Sequence, residues 1–223
     1  MDSARILNEI RLLILVAPPI LFSITFHEMS HGWMAYKLGD PTAKSQGRLS
    51  FNPLKHLDPI GTIVLFLTKT IGWAKPVPVD PRYFKNPRRD MMWVGLAGPV
   101  ANFILAVISA IVLRLLPTLF SLPIFFHILT PAIINPILIM TFLSVQINIG
   151  LGVFNLIPIP PLDGSRILAG IVPADWAIYI YRLERYGFII VLLLVFTGVT
   201  DRIIIPLITF LNHLLLGPMA ARF

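Results

Sequence analysis

Three apolar runs limit what this chain can become: about Ile10 to Leu38, Met91 to Leu116 and Pro131 to Ile157. Each is longer than the roughly 18–20 residues a helix needs to cross the hydrocarbon core of a bilayer. Composition points the same way. The chain has 223 residues, of which 56% are hydrophobic and 13% charged, whereas a soluble domain carries about 25% charge. The expected fold is an all-α polytopic integral membrane protein with about 4–6 transmembrane or re-entrant helices and a small β element near the functional site. One integral-membrane domain covers residues 1–223, with no internal repeat and no room for an appended soluble domain.

The formal net charge of +7 does not imply a nucleic-acid partner. In a membrane protein, excess Lys and Arg mark cytoplasmic loops facing anionic lipid. The absence of cysteine excludes disulfides and thiolate metal sites. The first apolar run has no small-residue cleavage site and flows straight into a polar motif, so the first helix is expected to act as its own insertion signal.

Between the long runs lie segments of another kind. "LGDP" (Leu38 to Pro41) stops the first helix, and Pro18 and Pro19 either kink it or mark its true start. The oily stretch Ile60 to Trp73 has a charge-free core of only Ile60 to Thr68, about 14 Å as a helix. Basic residues flank it on both sides: Lys37, Lys44, Arg48 and Lys55 before, Lys69, Lys75, Arg82, Lys85, Arg88 and Arg89 after. A crossing would strand one basic loop on the wrong side, so a re-entrant or surface-lying segment is expected. "GWAKPVPVDPRYF" (Gly72 to Phe84) is too rich in proline for a helix and reads as an edge-like strand, with "TAKSQGRLSF" (Thr42 to Phe51) as its partner. The last apolar stretch, Tyr186 to Leu216, is interrupted at Thr200, Asp201 and Arg202. It reads either as one crossing plus an interfacial helix or as two short crossings.

Against this apolar background "HEMSH" (His27 to His31) stands out. Residues four apart on a helix share one face about 6 Å apart along the axis, so two imidazoles at that spacing can hold one Zn²⁺. Glu28 lies beside that face, where it can take a proton from an attacking water. This is the H-E-x-x-H pattern. Ionisable groups cost about 2.5–3.5 kcal/mol each at mid-bilayer, so three together need a reason. The blander reading is a set of helix-bundle hydrogen bonds or a proton relay. Catalytic zinc takes three protein ligands and leaves one position open. Asp163, in "NLIPIPPLDG" (Asn155 to Gly164), is the best-placed third ligand, because prolines 158, 160 and 161 break the helix there and Gly164 relaxes the backbone. It reads equally as an ordinary loop aspartate.

"HEMSH" and "NLIPIPPLDG", both bordering apolar spans, together resemble the site-2 protease family of intramembrane zinc metalloproteases. Between them "GLAGPVAN" (Gly95 to Asn102) is similar to that family's middle motif. The likeness spans roughly Phe26 to Gly164 and is to the compact subgroup without a PDZ or CBS domain. It implies one zinc per chain, held by His27, His31 and Asp163, with Glu28 as general base. Asn102 then reads as an oxyanion donor or as helix–helix glue beside Gly98, and Asn155 as orienting the aspartate or contacting substrate. The segment holding Ala74, Val77 and Val79 reads as a receiver for an unwound substrate strand by β-addition, or as a plain structural hairpin.

The resemblance implies hydrolysis of a peptide bond in or near a transmembrane segment of a membrane protein, at a cell membrane and toward its cytoplasmic side. The partners expected are a transmembrane protein or peptide substrate and membrane lipid, with no nucleic acid. Two alternatives are a catalytically inactive membrane scaffold and a metal or proton transporter. The second and third spans offer a transporter few polar residues: Asn102, Ser109, Gln146 and Asn148. His56, His127 and His213 lack metal spacing and read as interfacial or loop histidines.

Overall fold

The computed structural model describes residues 3–68, 72–122, 124 and 130–222. The described residues are largely helical. α1 (Ser3–Lys37), α4 (Pro87–Phe120) and α5 (Pro131–Asn155) correspond to the three apolar runs, α1 starting seven residues earlier, α4 extended by four residues at each end and α5 ending two residues sooner. All three are long and apolar enough to cross a membrane. α2 (Thr42–Ser45) and α3 (Pro59–Thr68) fill the first interval, and α6 (Asp163–Ile171), α7 (Ala174–Phe196) and α8 (Val199–Leu216) complete the chain.

α1 is continuous through Pro18 and Pro19. The hydroxyls of Ser23 and Thr25 donate back to the carbonyls of Pro19 and Leu21 at 2.7 and 2.6 Å. Pro87 opens α4 at the position where its missing N–H costs nothing. Asn86 caps that helix by accepting from the Arg89 amide, while Asp90 accepts from the Asn86 amide at 3.0 Å. The main apolar core lies among α4, α5 and α8, where Ala106, Ala110, Leu113, Val145, Ile149 and Ile204 are buried together. The break in the last apolar stretch falls at Gly198, which takes φ +68°, so residues 199–216 run as helix through the Thr-Asp-Arg sequence.

The short oily segment behaves as its flanking charges suggest. Leu57 and Ala74 form an antiparallel bridge, and the Lys75 amide donates to the His56 carbonyl at 2.9 Å. The chain between them therefore leaves and returns at one point. A one-way crossing would separate those ends by about 30 Å. Gly61 makes the return tight, since a Cβ there would lie 2.3 Å from the Trp73 carbonyl.

The expected β element is corrected. Among the described residues there is no strand, only that isolated bridge. Residues 42–51 are not the partner of 72–84, because Thr42–Ser45 is a helical turn. The partner is the 56–57 backbone. Residues 72–84 form an extended strap that ends in a 3-10 turn at Pro81–Tyr83. Prolines 76 and 78 withhold the donors a ladder needs, so side chains hold the strap instead. Arg48 donates to the Lys75 carbonyl at 2.7 Å, and the Asp80 amide donates to Asp40 Oδ2 at 2.8 Å. At the strap's end the Arg82 guanidinium hydrogen-bonds the Asp80 carboxylate, at 2.6 Å in its shortest contact, and holds that carboxyl below the usual range.

Candidate metal centre

α1 presents His27 and His31 on one face, as a four-residue spacing requires. α4 packs against that face through "GLAG". A Cβ on Gly98 would lie 2.5 Å from His31 Nε2 and 2.6 Å from His27 Cε1, so only glycine lets the helices approach with both imidazoles between them. One turn earlier Gly95 faces α6, where a Cβ would come within 3.2 Å of the Asp163 carbonyl. α5 ends at Asn155, and the proline-rich turn after it delivers Asp163 as the first residue of α6. Gly164 serves this turn by close approach rather than by an unusual backbone angle. A Cβ there would sit 2.3 and 2.4 Å from the carbonyl oxygens of Leu156 and Ile157. Across the turn, Gly187 lets α7 pack on the Pro160–Pro161 peptide.

The result is a buried triangle. His27 Nε2 and His31 Nε2 are 3.0 Å apart, and each lies 3.1–3.2 Å from Asp163 Oδ2. The three residues are 5–7% exposed, and among the described residues they form a cluster able to hold a metal ion. The other carboxylate oxygen of Asp163 faces Arg166 at 3.7 Å.

The hydrogen bonds at the far side of each ring bear on what the triangle can hold. His31 Nδ1 donates to the Val94 carbonyl at 2.7 Å, and His27 Nδ1 donates to Asn102 Oδ1 at 2.5 Å. With the ring hydrogens on Nδ1, both Nε2 atoms carry lone pairs. With neutral imidazoles, two lone-pair nitrogens and a carboxylate oxygen thus converge, an arrangement that a cation between them relieves. Ligand atoms of a tetrahedral zinc stand about 3.3–3.5 Å apart at ordinary bond lengths, within a few tenths of an ångström of those observed. The donor set, two imidazoles and one carboxylate, is that of a catalytic zinc with one open position.

The other expected site residues fall out as follows. Glu28 is partly buried, and its Oε2 accepts from the Val77 amide at 2.9 Å. Val77 itself packs on Gly32, where a Cβ would meet Val77 Cγ1 at 2.9 Å and Leu49 Cδ2 at 2.8 Å. The strap therefore lies directly beside "HEMSH". Ala74 is occupied by Leu57, and Val79 packs with Ala35, Phe84 and Val94. From 75 to 78 the strap has no unused amide hydrogen: Lys75 and Val77 are committed and both prolines lack one. A full β-ladder cannot be added while Val77 holds Glu28.

Asn102 is not arranged as an oxyanion donor. It is fully buried, its oxygen faces His27, and its Nδ2 faces Asn148 Oδ1 at 2.8 Å and the Ser23 carbonyl at 3.4 Å. It does join α1, α4 and α5. Asn155 does not orient Asp163, because its Nδ2 donates back to Leu151 in its own helix at 3.0 Å. His56 is fully buried, with Nε2 on the Ser50 carbonyl at 2.8 Å, rather than interfacial. His213 lies in α8, and His127 falls outside the described residues. Asn148 was legible only as a scarce polar group in an apolar run. Its seven-residue spacing from Asn155 says nothing of where it points.

Known proteins bear on the same residues. The pattern of peptidase family M50 matches residues 15–129 and 123–196. The chain is 42% identical over 190 residues to the Bacillus subtilis protein named "Putative zinc metalloprotease YwhC", covering 85% of this chain and 83% of that one. It is 29% identical over 205 residues to the Mycolicibacterium smegmatis protein named "Putative zinc metalloprotease Rip2", covering 90% and 74%. A match of 29% over 153 residues to "Zinc metalloprotease MJ0392" of Methanocaldococcus jannaschii covers 69% of this chain and 33% of that protein. No solved structure matches. A His-His-Asp triangle fitted to zinc, set among membrane-length helices and matched over most of the chain, identifies it as a member of peptidase family M50, the site-2 protease family, with zinc as its cofactor.

Proposed function

We propose that this chain is an intramembrane zinc endopeptidase that cuts a peptide bond in or near a transmembrane segment of another membrane protein, the reaction of regulated intramembrane proteolysis. The observation that carries this reading is the convergence of His27 Nε2, His31 Nε2 and Asp163 Oδ2 within 3.0–3.2 Å among helices of membrane-crossing length. A zinc ion held by those three atoms supplies Lewis-acid polarisation of the scissile carbonyl and acidifies the attacking water. Glu28 takes the water's proton and returns it to the leaving amine. Its Oε2 is held by the Val77 amide, which orients the carboxylate and leaves Oε1 for the proton. His31 is steadied by a backbone carbonyl and His27 by Asn102.

A substrate helix keeps its carbonyls bonded internally, so it must unwind before cleavage. The unwound stretch lies along the strap at Ala74, Val77 and Val79 and donates to strap carbonyls other than that of Lys75, since the amides from 75 to 78 are committed or absent. Asn155, partly exposed and with its carboxamide oxygen uncommitted, is a contact for a substrate amide. The basic residues around α2, α3 and the strap support a site facing the cytoplasmic side of a cell membrane, where excess Lys and Arg collect. A transporter reading is disfavoured because the scarce polar groups of the spans are bonded to one another: Ser109 to Ser144, Asn102 to Asn148 and Gln146 to Asn212.

The test is Glu28→Gln in proteoliposomes with a helix-destabilised transmembrane peptide. The variant is expected to keep its zinc and to lose cleavage by about 10²–10⁴-fold. Cleavage at the wild-type rate would refute Glu28 as the base. Absence of cleavage by the zinc-loaded wild type on every such peptide would favour the scaffold reading.

A further inference from the structure

His31 and His27 are steadied by different kinds of group. The partner of His31 Nδ1 is a backbone carbonyl, which can only accept, so that ring has one possible arrangement. The partner of His27 Nδ1 is the carboxamide of Asn102. A carboxamide has an oxygen on one side and an NH₂ on the other, and a half-turn exchanges them. If the NH₂ faced His27, the ring would have to accept at Nδ1 and carry its hydrogen on Nε2, where the metal must bind. Something must therefore decide which way Asn102 points.

The deciding contacts run across the helix bundle. Asn102 Nδ2 donates to Asn148 Oδ1 at 2.8 Å. Asn148 Nδ2 in turn donates to the Ser144 carbonyl at 2.8 Å. That carbonyl belongs to the α5 backbone and cannot become a donor. It forces the Asn148 NH₂ toward itself and the Asn148 oxygen toward Asn102. Asn102 must answer with its NH₂, which leaves its oxygen for His27. Both asparagines are fully buried, and a flip anywhere along the chain sets two like groups against each other, at about 1–3 kcal/mol for each buried group left unpaired. The Ser23 carbonyl, at 3.4 Å from Asn102 Nδ2, favours the same orientation but sits at the limit of hydrogen-bond length.

We propose that Asn148 is a positioning residue for the metal site: through Asn102 it relays the fixed polarity of the Ser144 carbonyl to His27 and so determines which ring nitrogen is the ligand. The inference rests on His27 being a zinc ligand. Partners of this kind are worth about 10–100-fold in metal affinity when removed.

The test uses the purified full chain in detergent, with zinc affinity measured by competition against a chelator. Asn148→Leu keeps the volume and removes both polar groups, and Asn148→Ala provides a second variant. Each is expected to lose about 10–100-fold in zinc affinity. Adding Asn102→Asp to Asn148→Leu should recover most of that loss, because a carboxylate accepts on both sides and has no wrong orientation. Nitrogen-15 spectra of labelled histidine in the metal-free protein should show His27 with its hydrogen on Nδ1 in the wild type and on both nitrogens in Asn148→Leu. Wild-type affinity and an unchanged spectrum in both Asn148 variants would overturn the proposal. So would a double variant as weak as Asn148→Leu, which would mean Asn148 only packs. His27→Ala separates the two levels: if it binds zinc as the wild type does, the ligand assignment itself falls.

Discussion

Gly98→Ala asks whether the approach of α4 to the imidazole pair is as tight as the zinc site requires. The added methyl carbon would lie 2.5 Å from His31 Nε2, 2.6 Å from His27 Cε1 and 2.6 Å from His31 Cε1. Ordinary contact for such pairs is about 3.5 Å, so three overlaps of nearly 1 Å must be relieved at once. The rings cannot simply turn away, because each is tied at Nδ1, to Asn102 and to the Val94 carbonyl. Either α4 moves off α1 or an imidazole leaves its position. Overpacking of this kind costs about 1–3 kcal/mol. The methyl sits on the metal-facing side of the rings, so that cost falls on zinc binding, where 1.4 kcal/mol is tenfold. The expected loss of zinc affinity is about 5- to 150-fold, read by chelator competition. Gly150→Ala is the control, since a Cβ there meets nothing within 4 Å and helix propensity alone makes it neutral or stabilising. If Gly98→Ala holds zinc as tightly as Gly150→Ala and wild type, the packing argument for this motif is wrong.

Two further outcomes follow from other parts of the structure. Stripping the metal with a chelator leaves two lone-pair nitrogens and a carboxylate oxygen within 3.0–3.2 Å, so the melting temperature in detergent should fall and return when zinc is added back. An unchanged melting temperature would argue against a cation in the triangle. Asp40 is fully buried and accepts from the Thr42 amide and hydroxyl and from the Asp80 amide. Asp40→Ala should cost about 3 kcal/mol and make residues 72–84 the first site of proteolytic nicking, whereas a digestion pattern like that of the wild type would show that the strap is held by other means.

Much of the site is legible in the residues because it rests on local periodicity. Four-residue spacing puts His27 and His31 on one face whatever surrounds them, and prolines 158, 160 and 161 end α5 wherever it packs. The return of the short oily segment to its starting point follows from its length and from basic residues on both flanks. The β reading of 72–84 failed for a physical reason. Proline spacing forbids helix, but it also removes the donors a strand needs, and only the fold shows that Arg48, Asp40 and Glu28 take over the work of a ladder. The choice between the two readings of Asn102 stayed open in the sequence because a carboxamide can serve either as donor or as acceptor, and its neighbours decide which.

The sequence by itself determined the environment and the chemistry: apolar runs too long for anything but a bilayer, and a histidine pair with a glutamate that such runs would exclude without a purpose. Only the tertiary structure decided how closely the Asp163 carboxylate meets the imidazole pair, why glycine occupies positions 95, 98 and 164, and which way the buried amides point. Most of these are contacts between segments far apart in the chain, 46 residues for Asn102 and Asn148 and 75 for His27 and Asn102, set by how closely helices approach. No local preference encodes them; they arise when buried lone pairs and hydrogens must all be matched at once.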